Sequence, residues 1–147
     1  MLDPYAPTCP YCQQPAQLRD YSAHLYHGRD YGPVWECVPC QAWVGCHKGS
    51  VLPLGTPANA ATRKLRVRAH AEFDPIWRAK AERETAPKAR GRARAAGYAW
   101  LSEQLGIPSA KCHIGMMSDA DLQRVIDLCA PYAERLSTSS GSYPESE

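Results

Sequence analysis

Long hydrophobic runs are missing from this chain. No stretch approaches the roughly 20 consecutive apolar residues needed to cross a bilayer. The opening residues, MLDPYAPT, lack the charged start, apolar middle and small-residue cleavage site of a secretory leader. Together these absences predict a cytoplasmic protein without a membrane span. Also missing are a Gly-rich phosphate loop, a Ser-His-Asp arrangement that can be named, and a carboxylate pair spaced for acid-base work or for a catalytic ion. A metal-dependent nuclease using His47 or His113 as general base therefore ranks third among the function readings. No internal repeat occurs beyond a duplicated CxxC.

Cysteine, by contrast, is plentiful, with seven residues in 147. Four form two pairs, Cys9-Pro-Tyr-Cys12 and Cys37-Val-Pro-Cys40. In a reducing compartment such pairs point to metal thiolates more than to disulfides, and an odd count leaves a thiol over in any disulfide scheme. Zinc in a structural site takes four ligands in a tetrahedron, which Cys9, Cys12, Cys37 and Cys40 supply. The 24 residues between the pairs flank a turn-rich centre, His27 to Pro33. They read as a β-hairpin, with Gln17 to Tyr26 rising and Val34 to Cys37 returning, and each pair placed where a strand turns. So short a hairpin holds little core, and metal and fold are expected to be lost together.

Cys46 and His47 follow this set. They can replace one of the four ligands, open a second metal site with His24, His27 or the Cys112-His113 pair, or provide a base. The preferred reading makes them structural neighbours of the zinc, because a fifth thiolate has no coordination position to fill. Cys112 and His113, in a loop, and Cys129, on an apolar helix face, read as packing residues. His70 reads as solvated or packed.

Charge is segregated along the chain. Residues 1–62 carry 3 Lys/Arg against 4 Asp/Glu, residues 63–94 carry 11 against 4, and residues 95–147 carry 3 against 7. A basic middle thus sits inside a neutral average. After the Gly- and Pro-rich loop Lys48 to Ala58, Asn59 can cap a helix whose apolar stripe is Leu65, Ala69 and Phe73. Asp74 followed by Pro75 predicts that the helix stops and restarts there, and Pro87 ends it. The KARGRAR run leads into a helix carrying Tyr98, Leu101 and Leu105, with Gly106 as C-cap. A last helix is capped by Ser118 and Asp121, carries Leu122, Val125, Ile126 and Cys129 on its apolar face, and is expected to stop at Pro131. The serine-rich tail is expected to be disordered.

The expected architecture is α+β: a small N-terminal four-cysteine zinc ribbon with its connecting loop (1–58), a basic helical segment (59–94), a C-terminal helical hairpin (95–131) and a disordered tail (132–147). The ribbon is followed by three or four short helices.

The strings CPYC, GRDYGPVWECVPC, WVGCHKGS, PLG and AHAEFDPIW resemble a family of small phage and prophage proteins that contain a zinc-finger domain of unknown function. The likeness covers about residues 9–77. YAWLSEQLGIP and CHIGMMSDADLQRVI resemble the helical segment that often follows this finger. The resemblance implies a zinc ribbon on Cys9, Cys12, Cys37 and Cys40 and a phage or prophage origin, and it implies no settled activity.

For the surface, the first reading is nucleic-acid binding, to DNA or RNA, with Arg63, Lys64, Arg66, Arg68, Arg90, Arg92 and Arg94 on phosphates and Tyr21, Tyr26, Tyr31 and Trp43 stacking on unpaired bases. Against it stands a solvated helix face paired internally to Glu72, Glu82 and Glu84. The alternative is a protein-interaction module that inhibits or redirects a host enzyme or defence complex through the acidic C-terminal part, with Met116 and Met117 exposed.

Overall fold

The structure is a computed structural model that describes residues 4–84 and 86–140, the side chains of 137–140 excepted. It is α+β: a three-stranded antiparallel sheet, then three α-helices. The strands are β1 (Gln17–Arg19), β2 (Val34–Cys37) and β3 (Ala42–Gly45), in the order β1-β2-β3. The helices are α1 (Ala60–Glu82), α2 (Ala89–Leu105) and α3 (Asp119–Ser140), with two single 3-10 turns between α2 and α3. The chain divides into two compact units, Met1–Lys64 and Leu65–Glu147, and the division falls within α1.

In the first unit the central strand β2 is buried at all four positions. The register places Leu18, Trp35 and Val44 side by side, and Gln17, Glu36 and Trp43 side by side on the opposite face. The first row is apolar. Trp35 packs there with Ala16, Val44 and Cys46 and donates its indole N–H to the Val51 carbonyl at 2.7 Å. The loop after β3 returns along its outer edge: Trp43 and Ala58 exchange both backbone hydrogen bonds, at 3.1 and 2.9 Å, and the N–H of Leu54 donates to the Gly45 carbonyl at 2.9 Å. That edge is thereby closed to pairing with another chain.

The rising strand is shorter than the sequence suggested, ending at Arg19 instead of Tyr26. Beyond it Ser22 and Asp30 take over the backbone donors. The Asp30 carboxylate accepts the N–H groups of Ser22 (3.0 Å) and Gly32 (2.9 Å), and the Ser22 hydroxyl accepts that of Tyr31 (2.8 Å). Local side-chain bonds of this kind compete with a ladder and fold the segment into turns. Those N–H groups, Gly32 first, hold the Asp30 carboxyl below its usual value.

In the second unit, Ala69, Phe73 and Trp77 of α1, Ala93, Leu101 and Leu105 of α2, and Leu122, Val125, Ile126 and Cys129 of α3 share one core, closed by Cys112, Ile114 and Met117. The helix expected to restart at Pro75 runs straight through it. The reason is the stripe itself: Ala69, Phe73 and Trp77 recur every four residues across the proline, so a single rod buries all three. Asp74 makes no N-cap; its carboxylate accepts the Trp77 indole N–H at 3.1 Å and lies 3.2 Å from His70 Nδ1. Helix α2 approaches α1 closely at Gly97, where a Cβ would stand 3.0 Å from Trp77 Cβ and 3.3 Å from the Phe73 ring.

Two further expectations are met and three are corrected. Asn59 Oδ1 accepts the Thr62 N–H at 3.0 Å, and Gly106 closes α2 in the left-handed conformation, its N–H donating to the Ser102 carbonyl. Pro131, however, does not stop α3, which continues to Ser140 while Tyr132 stacks edge-on against Trp100 at 5.5 Å. The tail expected from residue 132 is thus helical over its first nine positions, and 141–147 lie outside the described residues. Met117 belongs to the core, leaving Met116 as the exposed member of that pair.

Candidate metal centre and the basic residues

Cys9-Pro-Tyr-Cys12 is a turn ahead of β1, and Cys37-Val-Pro-Cys40 is the connection between β2 and β3. In both, the residue after the second cysteine, Gln13 or Gln41, takes a left-handed backbone (φ 65° and 52°). The duplication is therefore CxxCQ in sequence, with a left-handed residue after each pair, although the two turns close through different hydrogen bonds. The Cys9 carbonyl accepts the Gln13 N–H at 2.9 Å, and the Val38 carbonyl accepts that of Gln41 at 3.1 Å.

These turns bring Sγ of Cys9, Cys12, Cys37 and Cys40 within 4.8 Å of one another. The Cys12 and Cys37 sulfurs are 3.6 Å apart. That is too far for a disulfide, whose S–S bond is about 2.05 Å. It matches tetrahedral ligation, where metal–sulfur bonds of about 2.3 Å put sulfurs about 3.8 Å apart. Cys9 and Cys37 are buried. Burial opposes ionisation of Cys9, but the N–H groups of Tyr11 and Cys12 and the neighbouring thiols together hold its pKa below the ordinary thiol value. Burial and the adjacent thiols push Cys40 up to about 12, and Cys37 is raised chiefly by burial. A divalent cation offsets these penalties by displacing the protons. The four cysteines fit a metal site, and an ion bound by all four would have no tetrahedral position left for water.

Residues 6–132 match the model of a family described as a zinc-finger-containing domain. The chain belongs to that family. No curated protein and no solved structure matches it. The zinc-finger-containing domain thus spans both compact units, from just ahead of Cys9 into α3. No helix among its described residues is long and apolar enough to cross a membrane.

Cys46 and His47 stand apart from the sulfur cluster. Among the described residues, the four cysteines are the sole group of three or more ligating side chains brought together. Cys46 packs beside Trp35, and burial raises its thiol pKa. His47 uses its backbone N–H on the Leu52 carbonyl at 2.9 Å and leaves its ring exposed. Cys112 is buried with its thiol 3.8 Å from the Tyr98 carbonyl, and Cys129 is fully buried with its pKa pushed up to about 12, by burial first and Glu72 second.

The seven basic residues divide by surroundings. Arg63 sits over the Trp43 indole, its guanidinium carbon 3.6 Å from the ring centre, and donates to the Ala58 carbonyl; burial lowers its pKa. Arg66 is half-buried. Arg90 covers Trp77 at 5.2 Å and Arg94 covers Tyr98 at 4.9 Å. Arg92 pairs with Glu84 at 3.7 Å. Lys64 and Arg68, one turn apart on α1, are exposed and make no ion pair among the described residues. Of the aromatics, Tyr26 and Trp43 are engaged with each other, the indole N–H donating to the Tyr26 hydroxyl at 3.1 Å, while Tyr21 and Tyr31 are exposed.

Two features had no signal in the sequence. Tyr11, between two ligands, accepts the Asn59 N–H at 3.1 Å and lies 2.6 Å from Thr62 Oγ1, which ties the first CxxC turn to the start of α1. Glu36, in mid-strand, is buried because His24 Nε2 (2.8 Å) and Arg19 Nε (3.4 Å) both reach its Oε1.

Proposed function

We propose that this is a non-catalytic zinc-binding accessory protein of a phage or prophage, acting in the bacterial cytoplasm and associating with nucleic acid through the basic residues of α1. Zinc suits four thiolates in a tetrahedron and is structural when every position is taken by protein. A closed cage supplies no metal-bound water, which argues against the nuclease reading. The family description supports zinc binding alone; the phage or prophage term rests on the resemblance of the sequence strings quoted above.

The observation that carries the nucleic-acid reading is the exposed pair Lys64 and Arg68 on a segment with 11 Lys/Arg against 4 Asp/Glu. Cations without protein partners are free to replace counterions on phosphates, and such binding weakens steeply with salt. Reversing both, Lys64→Glu with Arg68→Glu, should lower affinity for single- or double-stranded nucleic acid by about tenfold or more in low salt and flatten the salt dependence by a slope of about two. Metal content and melting temperature should not change. Affinity equal to wild type would remove this reading.

A further inference from the structure

A cleft of about 700 Å³ opens in the first unit, bordered by His24, Glu36, Trp43, Asn59, Ala60 and Arg63. Its size falls in the range of roughly 300–1,000 Å³ typical of small-molecule sites. Resting on the nucleic-acid reading above and sharpening it, we propose that the cleft seats one unpaired nucleobase bearing an exocyclic amino group, presented by a single strand.

The wall chemistry carries this. Glu36 has a side chain only 9% exposed, and both of its protein donors, His24 and Arg19, reach the same oxygen, Oε1. No donor among the described residues reaches Oε2. An ionised carboxylate only accepts hydrogen bonds, so the ligand edge that meets it must donate. Cytosine offers its N4 amino group at the edge where uracil and thymine offer a carbonyl oxygen, which would face carboxylate lone pairs. A surface for the base is also present: the Arg63 guanidinium carbon stands over the Trp43 indole, 3.6 Å from its centre, and guanidinium planes and aromatic rings stack on bases. The start of α1, with no acidic residue in its first turn, lies on the rim, where the positive end of the helix favours a phosphate although its Asn59 and Thr62 N–H groups are already taken by the Tyr11 hydroxyl and the Asn59 side chain.

The test compares fluorescently labelled oligocytidylate and oligouridylate of equal length on the full chain loaded with metal. Wild type should bind the cytidylate about tenfold more tightly. Glu36→Gln, whose amide both donates and accepts, should bring the two within about twofold. Its metal content and melting temperature report that the fold is intact. Lys64→Glu with Arg68→Glu should weaken both oligomers equally and keep their ratio. Equal affinities in wild type, or a preference that survives Glu36→Gln, overturn the base site and leave the basic-face reading standing. Titration with CMP and UMP, followed at the Trp43 indole N–H resonance, separates the reverse case: a response to CMP alone supports the cleft even where the double reversal has no effect on oligomers. No response to either nucleotide together with no oligomer binding overturns both.

Discussion

In the helical unit thirteen buried residues from α1, α2, α3 and the turns between them form one cluster, with Phe73, Leu101 and Leu122 fully enclosed. In the ribbon unit the apolar clusters have only three buried members each, one built on Cys9 and Cys37, the other on Trp35. The helical unit is closed by apolar packing, which strengthens with each methylene buried. The ribbon unit has too little apolar area for its length, and domains of that size commonly depend on a metal. Two routes to a folded state are thus joined in one chain of 147 residues. The difference teaches which perturbation each unit should feel.

The largest expected effect comes from the metal. Stripping it with a chelator, or replacing Cys9 and Cys37 by serine, should remove about one ion per chain and unfold the ribbon. Structural zinc contributes on the order of 10 kcal/mol to small folds of this kind. The indole resonances of Trp35 and Trp43 should collapse toward random-coil positions while those of Trp77 and Trp100 stay dispersed. Elemental analysis and two-dimensional NMR on the same sample check this. A ribbon that keeps its dispersed resonances after losing the ion would erase the contrast between the units.

The converse perturbation is smaller. Leu101→Ala removes a fully buried side chain from the helical core and should cost about 2–5 kcal/mol through lost transfer energy and the cavity left behind. Thermal melting followed by circular dichroism should shift downward for the helical signal, while metal stoichiometry and the Trp35 and Trp43 resonances persist. Equal loss in both units would make the chain one cooperative body.

How far the sequence disclosed this arrangement follows the same division. The four-cysteine cluster was legible because metal geometry fixes residue type and spacing together, and CxxC twice satisfies both. The α+β order was legible because a period of four runs through Leu65, Ala69 and Phe73 while β2 is a short run between turns. Pro75 and Pro131 misled because a proline's local penalty was weighed without the stripe on either side of it, and burial of Trp77 outweighs one lost hydrogen bond. Strand β3 was hidden in QAWVG because its partner on one side is β2 and on the other the returning loop, neither of which shows in four residues. The roles of Arg63 and Glu36 depend on Trp43 and His24, which only the three-dimensional register brings to them. Charge counting had placed Arg63 among the phosphate contacts for that reason.

The smallest effect probes the join between metal turn and helix. Tyr11 lies between Cys9 and Cys12, and its hydroxyl accepts the Asn59 N–H while facing Thr62, so the knuckle supplies part of the cap that a helix start otherwise takes from its own residues. Asn59 supplies the rest through its bond to the Thr62 N–H. Asn59→Ala should cost about 1 kcal/mol, the usual value of a lost N-cap. Tyr11→Phe should cost about the same, one net hydrogen bond, without altering the metal content. The discriminating quantity is amide exchange at Asn59 and Thr62 in the metal-loaded and metal-free protein. With metal, Tyr11→Phe should speed exchange at Asn59 several-fold; without it, the substitution should change nothing, because the turn that aims the hydroxyl has already come apart. Exchange accelerated equally in both states would show that Tyr11 caps the helix independently of the cysteines, and the metal's influence would then stop at the sheet.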